Sequence, residues 1–387
     1  MIDYASLDER LAEREAAQLY RRRKLIHSPQ GVEINLQGKT ALNFCSNDYL
    51  GLANHPELIK AFTSAAKEYG VGSGAAHLIS GHSQHHHQLE EELAEFTGRP
   101  RALIFSTGYM ANLGVISALF GQGDAVFEDR LNHASLLDAG LLSRARLQRY
   151  QHNDVSDLEN KLTSSNSDNK LIVTDGVFSM DGDVAPLKEL ATLAQQHNAW
   201  LMVDDAHGLG VLGDHGGGCL QQNDLTLDDV PILMGTFGKA LGTFGAFVAG
   251  HESMIETLIQ SARSYIYTTA LPPAVAAATR VALRLVQQES WRRDQLNHLI
   301  KQFRQGAEQL GLSLMSSASP IQPLLIGDTA KTVNISQQLL DDGILISAIR
   351  PPTVPDGTAR LRITLSAEHQ QHHVERLLDS LQKVLKP

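Results

Sequence analysis

The residues best placed to do chemistry are a lysine set among small residues and an aspartate–histidine block at a strand end. Lys239 lies in Gly235-Thr236-Phe237-Gly238-Lys239-Ala240-Leu241-Gly242. Upstream, an apolar strand over 200–203 runs into Asp204-Asp205-Ala206-His207-Gly208. An amine can form a Schiff base with an aldehyde. A carboxylate at the end of a buried strand can keep a pyridine nitrogen protonated, so that the ring draws electrons from a substrate carbon. A neighbouring imidazole can pair with a ring hydroxyl, and Thr236 with nearby turns can offer donors to a phosphate. Pyridoxal 5'-phosphate (PLP) is the cofactor that asks for all of these groups. Lys239 is the candidate amine, Asp204 the partner of the ring nitrogen and His207 the partner of the ring hydroxyl. Singly, each has a plainer use, as a strand-end cap or a surface-loop lysine. Their combination in this order favours the cofactor.

A competing motif sits between them. Gly208-Leu209-Gly210-Val211-Leu212-Gly213 matches GxGxxG after a strand. In a dinucleotide site such glycines open a helix whose N-terminus meets the pyrophosphate. Here Gly213 leads into Asp214-His215-Gly216-Gly217-Gly218, which reads as loop, and no strand ends at Asp228 or Asp229. An NAD-dependent dehydrogenase is therefore a remote alternative.

Other strand ends carry further candidates. Ser106-Thr107-Gly108-Tyr109-Met110 closes a strand and opens a helix, so the Gly108 and Tyr109 N–H groups would face a phosphate. His133, in Asn132-His133-Ala134-Ser135, offers a flat ring to stack on the pyridine, or a helix cap. Ser179, in Asp175-Gly176-Val177-Phe178-Ser179-Met180-Asp181-Gly182, follows another strand and can donate to the cofactor.

Such groups need strands and helices to hold them. The pattern predicts strands over 102–105, 125–127, 147–150, 171–174, 200–203, 232–234 and 246–248, with helices such as 84–96, 109–119, 187–197 and 273–287 between them. Alternating β and α elements imply an α/β fold whose mainly parallel sheet is covered on both faces. Binding groups then lie beyond the carboxyl ends of the strands. Residues 32–36 and 41–44, split by Gly38-Lys39, read as a hairpin. Residues 3–23 read as a surface helix ending in Arg21-Arg22-Arg23-Lys24, a run that suits a helix C-terminus. Beyond Trp291 come a long helix over 291–310, strands over 322–326, 345–348 and 361–364, and helices from Lys331 and Glu368. The expected organisation is an N-terminal segment over 1–45, a large PLP-binding domain over 46–289 and a small C-terminal α+β domain over 290–387.

Bulk properties narrow the class. The chain has 387 residues, 42% of them hydrophobic, so a sizeable core is expected. A net charge of -10 argues against a general nucleic-acid binder. Only Cys45 and Cys219 are present, which fits a reducing cytoplasm. No apolar core of a secretory signal and no membrane-spanning run is seen. Histidines cluster at His82, His85, His86 and His87, and again at His369, His372 and His373. Their spacing could hold a metal, but no carboxylate or cysteine pattern completes either group, so solvated helix faces and no metal site are expected.

Ser46-Asn47-Asp48-Tyr49-Leu50-Gly51-Leu52, Gly72-Ser73-Gly74, Asn132-His133-Ala134-Ser135-Leu136, Asp181-Gly182-Asp183 and the blocks at 204–207 and 236–239 are spread over nearly the whole chain. Together they resemble the α-oxoamine synthases, fold-type-I PLP-dependent acyltransferases. Ala348-Ile349-Arg350-Pro351-Pro352-Thr353-Val354-Pro355, Gly357-Thr358-Ala359-Arg360-Leu361-Arg362 and His152-Asn153-Asp154 bring the resemblance nearest to members acting in biotin synthesis. Those join L-alanine to a pimeloyl thioester carried on CoA or acyl carrier protein. The resemblance implies that Lys239 is both anchor and base, that His133 stacks on the ring, and that Arg362 with Asn47 holds the amino-acid carboxylate. It gives Arg21 to the acyl substrate and Thr353 to the substrate site. Thr268 and Thr269 would reach the phosphate of a neighbouring subunit's cofactor, which implies a homodimer with active sites at its interface. His77 departs from the pattern, since many members carry Arg there. Family members that use glycine with acetyl- or succinyl-CoA, or serine with a fatty acyl-CoA, are the alternatives. A non-catalytic PLP-binding protein would not need the Arg362 clamp.

Overall fold

A computed structural model describes residues 3–385. It contains two compact units. Asp48–Ser179 with Asp183–Asp294 form the larger, and the described residues of 1–47 and 295–387, with Met180–Gly182, form the smaller.

The smaller unit begins with a helix, Tyr4–Ala16, whose first turn is capped by the Asp3 carboxylate accepting from Ala5 N at 3.1 Å. The helix is shorter than the expected 3–23, and Gln18 follows it at φ 57°. Arg21 to Lys24 therefore lie in non-helical chain, and their expected place at a helix C-terminus is corrected. The segment is held instead by Arg350, whose Nε and Nη2 donate to the carbonyls of Gln18 (2.7 Å) and Tyr20 (2.9 Å). Strands β1 (Glu33–Leu36) and β2 (Lys39–Asn43) form the expected hairpin. Its two-residue turn places Gln37 and Gly38 at φ 53° and 87°, the positive values that match the turn to the strand twist.

The larger unit holds all seven strands expected for the main sheet. They are β3 (Arg101–Phe105), β4 (Ala125–Asp129), β5 (Arg146–Tyr150), β6 (Lys170–Asp175), β7 (Trp200–Asp204), β8 (Ile232–Thr236) and β9 (Ala246–Gly250). Their order is β3-β9-β8-β7-β6-β4-β5, and only β9 runs against the others. Central strands such as Leu171-Ile172-Val173 and Leu201-Met202-Val203 are apolar without alternation because both faces are buried. On one face Leu103, Phe105, Leu171, Val173, Ile232 and Met234 pack with Val115, Ile116, Leu136 and Leu258 from covering helices. The edge strand β5 keeps polar, partly exposed residues.

In the smaller unit, β10 (Ile321–Gly327), β12 (Ser347–Ile349) and β13 (Ala359–Thr364) form an antiparallel sheet with β13 central, while β11 (Ile344–Leu345) pairs parallel with β2. The single strand expected over 345–348 is thus divided at Ile346 between two sheets. Among the described residues no helix is long and apolar enough to cross a membrane.

The histidine clusters are not all solvated. His86 is fully buried, its Nδ1 accepting from Ser83 N at 2.9 Å and its Nε2 meeting the Leu271 carbonyl at 2.6 Å. His369 precedes the last helix, Gln371–Leu385, and is buried in a stack on Phe44 with ring centroids 4.4 Å apart. Ring stacking and backbone partners compensate the burial that the helical spacing alone did not reveal.

Candidate functional site

Asp204 is the last residue of β7, and the turn carrying Lys239 follows the adjacent strand β8. The turn is closed by Phe237 N to Gly245 O (2.9 Å), Thr243 N to Phe237 O (2.8 Å) and Gly242 N to Lys239 O (2.9 Å). Gly242 is required there: its φ is 65°, and a Cβ would come within 2.4 Å of Ala53 N. Thr236 donates its hydroxyl to Gly245 O at 2.9 Å and accepts from Gly238 N at 3.4 Å.

The turn places Lys239 Nζ 2.9 Å from His207 Nε2. His207 Nδ1 meets the hydroxyl of Tyr49, which is fully buried, at 2.6 Å. Tyr49 stands in the Ser46–Leu52 motif, where nothing local marks it as a partner of His207. Its contact with His207 spans a long stretch of chain, which no local pattern encodes.

Asp204 is 3% exposed, and a carboxylate buried this deeply needs partners. Its oxygens accept from Asn112 Nδ2 at 2.8 Å and Ala206 N at 3.1 Å. Asn112 is a polar residue on an otherwise apolar helix face, and it was missed in the sequence although that mismatch was its signal. Asp175, directly across the register from Asp204 on β6, was also missed as a site residue. Burial, then repulsion from Asp204, pushes the Asp175 carboxyl well above its ordinary range, so its protonated form is favoured. The neighbouring Asp205 serves the fold, accepting from Cys219 N at 2.7 Å.

His133 caps the helix Ala134–Ser143 and donates its backbone N–H to Asp175 Oδ2 at 2.7 Å. Its flat ring meets Ser135 Oγ at 2.7 Å, and burial lowers its pKa, which favours the neutral imidazole. Gly108 and Tyr109 open the helix Gly108–Leu119, with Thr107 as its cap at 3.1 Å from Met110 N. The Tyr109 hydroxyl donates to Asp138. Ser179 is partly exposed in the turn after β6. Thr268 and Thr269 lie just before the helix Pro273–Gln288, and Ser106 Oγ donates to Thr269 O at 3.4 Å. The GxGxxG stretch opens no helix, since 208–213 is turn and the next helix is Gly218–Gln222. It therefore lacks the helix N-terminus that a dinucleotide needs.

The smaller unit carries the remaining candidates. Arg362, on β13, is 6% exposed, and its Nη2 donates to Asn47 Oδ1 at 3.1 Å. Next along the same strand, Arg360 is committed to Asp181 at 2.6 Å. Arg21 donates to the Thr353 hydroxyl at 3.4 Å, so these two expected substrate residues are brought together.

As a donor set these residues fit PLP. An amine, an imidazole, a buried carboxylate at a strand end, a flat ring and a helix N-terminus correspond to its aldehyde, hydroxyl, ring nitrogen, ring face and phosphate.

The comparisons with known proteins agree. The family model for class I and II aminotransferases matches residues 39–381. An 8-amino-7-oxononanoate synthase of Saccharophagus degradans is 62% identical over 384 residues, 99% of this chain and 97% of the relative. A serine palmitoyltransferase from S. paucimobilis, solved with a bound PLP–myriocin aldimine, superposes with a TM-score of 0.93 at 31% identity, over 98% of this chain and 96% of that one. An 8-amino-7-oxononanoate synthase from Francisella tularensis superposes with a TM-score of 0.79 at 33% identity, over 89% of this chain and 97% of that one.

Proposed function

The chain belongs to the class I and II aminotransferases and, within them, to the α-oxoamine synthases of the 8-amino-7-oxononanoate type, and on that premise we propose how its residues divide the work. It is a PLP-dependent acyltransferase that condenses L-alanine with a pimeloyl thioester, releasing CO2, free thiol and 8-amino-7-oxononanoate for biotin synthesis. The observation that carries the catalytic reading is the bonded series Lys239–His207–Tyr49 beside the buried Asp204.

PLP, when bound, supplies an aldehyde that holds the amino acid and a ring that takes up electrons from its Cα. Lys239 would anchor the aldehyde, and its Nζ, when free, would take the Cα proton of alanine. His207 receives Nζ on one ring nitrogen and steadies it against the reacting carbon. Asp204 would hold the ring nitrogen protonated, and Asn112 keeps that carboxylate oriented. His133 covers the ring face. The N–H groups of Gly108 and Tyr109, with Thr236 and Ser179, bind the cofactor. Arg362 binds the alanine carboxylate through its fork of donors, with Asn47 fixing the guanidinium. Arg21 and Thr353 receive the acyl group. Thr268 and Thr269 serve the phosphate of a neighbouring subunit, so the working form is a homodimer.

The substrate assignment is tested by pairing alanine, glycine and serine with pimeloyl, acetyl, succinyl and palmitoyl thioesters. Alanine with the pimeloyl thioester is expected to give the highest kcat/KM. Discrimination against glycine rests on one methyl group, worth about 1–3 kcal/mol, so slow turnover of glycine is expected. Faster condensation of glycine with acetyl-CoA would overturn the substrate reading and leave the family unchanged. Light scattering coupled to size exclusion tests the dimer, which a monomer at assay concentration would refute.

A further inference from the structure

We propose that His82, His87 and Glu90 form a binding site for one divalent transition-metal ion of zinc-like chemistry. Their ligand atoms all lie within 4.8 Å of one another. His87 and Glu90 stand three residues apart on the helix Gln84–Thr97 and so share a face. His82 comes from the turn just before that helix, which spacing along the helix alone does not reveal.

The ligand atoms are oriented by partners that do not themselves bind the ion. His82 Nδ1 lies 3.0 Å from Nδ1 of His77, a buried ring stacked on Tyr265 at 5.1 Å with planes 10° apart. With His82 Nδ1–H donating to His77 Nδ1, the His82 Nε2 lone pair is left for a metal, and that atom faces Glu90 Oε2 at 3.9 Å. The other Glu90 oxygen accepts from Ile104 N at 3.0 Å, which fixes the carboxylate. Arg101 lines the same cavity of about 290 Å³ and is paired with Glu256 at 3.1 Å. The His87 side chain is 65% exposed, and its Nε2 lies 3.4 Å from Glu91 Oε1, a surface pair that coordination would replace as His87 swings in. His86 is excluded as a ligand because both its ring nitrogens are already bonded. Two imidazole nitrogens and one carboxylate oxygen suit Zn2+ and leave a further position for water.

The test uses the PLP-loaded enzyme after chelator treatment, with Zn2+ alone as the probe in equilibrium dialysis. One tight equivalent per chain is expected. His87→Ala, at an exposed position that leaves the fold intact, and Glu90→Gln should each weaken that equivalent by about tenfold or more. His77→Phe should weaken it by roughly 10–100-fold while keeping the stoichiometry, as expected when an outer partner of a ligand is removed. The double variant His372→Ala/His373→Ala should bind as the wild type does. Absence of a tight equivalent, or an unchanged affinity in His87→Ala, would overturn the site.

Discussion

Lys239 Nζ lies 2.9 Å from His207 Nε2, so the candidate base is bonded to a ring that Tyr49 holds from its other side at 2.6 Å. This arrangement makes His207 a positioning residue for the amine as well as a candidate cofactor partner. Tyr49→Phe would leave Nδ1 of a buried ring without its hydroxyl partner. Unfolding measurements should show a loss of about 1–3 kcal/mol. Turnover should fall while the KM for alanine changes little, because the ring orients the base and does not bind the amino acid. An unchanged kcat with normal stability would show that the hydroxyl does not position His207.

Lys239→Ala should abolish turnover and leave the fold largely intact. Lys239 lies on a turn closed by backbone bonds that its side chain does not supply. Borohydride reduction of the wild-type holoenzyme followed by peptide mapping should place the label on Lys239. Label on another lysine would remove the assignment of anchor and base.

Asp204→Asn should lower turnover by several orders of magnitude while PLP still binds through its phosphate contacts. The amide cannot hold the ring nitrogen protonated. Asp205 is no substitute, because its carboxylate is bonded to Cys219 N in the fold. Near-normal turnover in the variant would redirect attention to Asp175, which faces Asp204 across the sheet.

Arg362→Lys keeps the charge but loses the planar fork and its bond to Asn47. The KM for alanine should rise by roughly tenfold or more, the scale of one charge-assisted hydrogen bond, and the KM for the acyl thioester much less. Equal changes in both would mean that Arg362 does not select the carboxylate.

His152 supports the fold in a pH-dependent way. Burial pushes its pKa down, but hydrogen bonds to Asp129 (3.0 Å) and Asp183 (2.8 Å) outweigh this and raise it to about 10. Its unfolded value is about 6.5. A raised folded value means its stabilisation is fully present below about pH 6.5, declines as pH rises and is gone above about pH 10. Urea unfolding of wild type and His152→Gln across that range should show a gap that narrows with increasing pH. A constant gap would show that the charge on His152 contributes nothing.

The main sheet and its order of β and α segments were legible in the sequence because buried parallel strands are local apolar runs ending at turns. Lys239, Asp204 and His207 could be picked out for the same reason, since each lies at or just beyond a strand end where parallel sheets carry binding groups. What the sequence could not supply was pairing between distant segments. Tyr49 on His207, Asn112 on Asp204 and Asp175 across from Asp204 depend on which strands and helices become neighbours, and that is set by packing. The place of the basic run at 21–24 was not legible because helix length depends on where the chain finds partners, and here Arg350 holds the segment after Ala16. The histidines show the same division. Their spacing gave the helical ones a common face, but only the fold buried His86 and His77 and turned His82 toward Glu90, because burial and stacking come from residues far away in the chain.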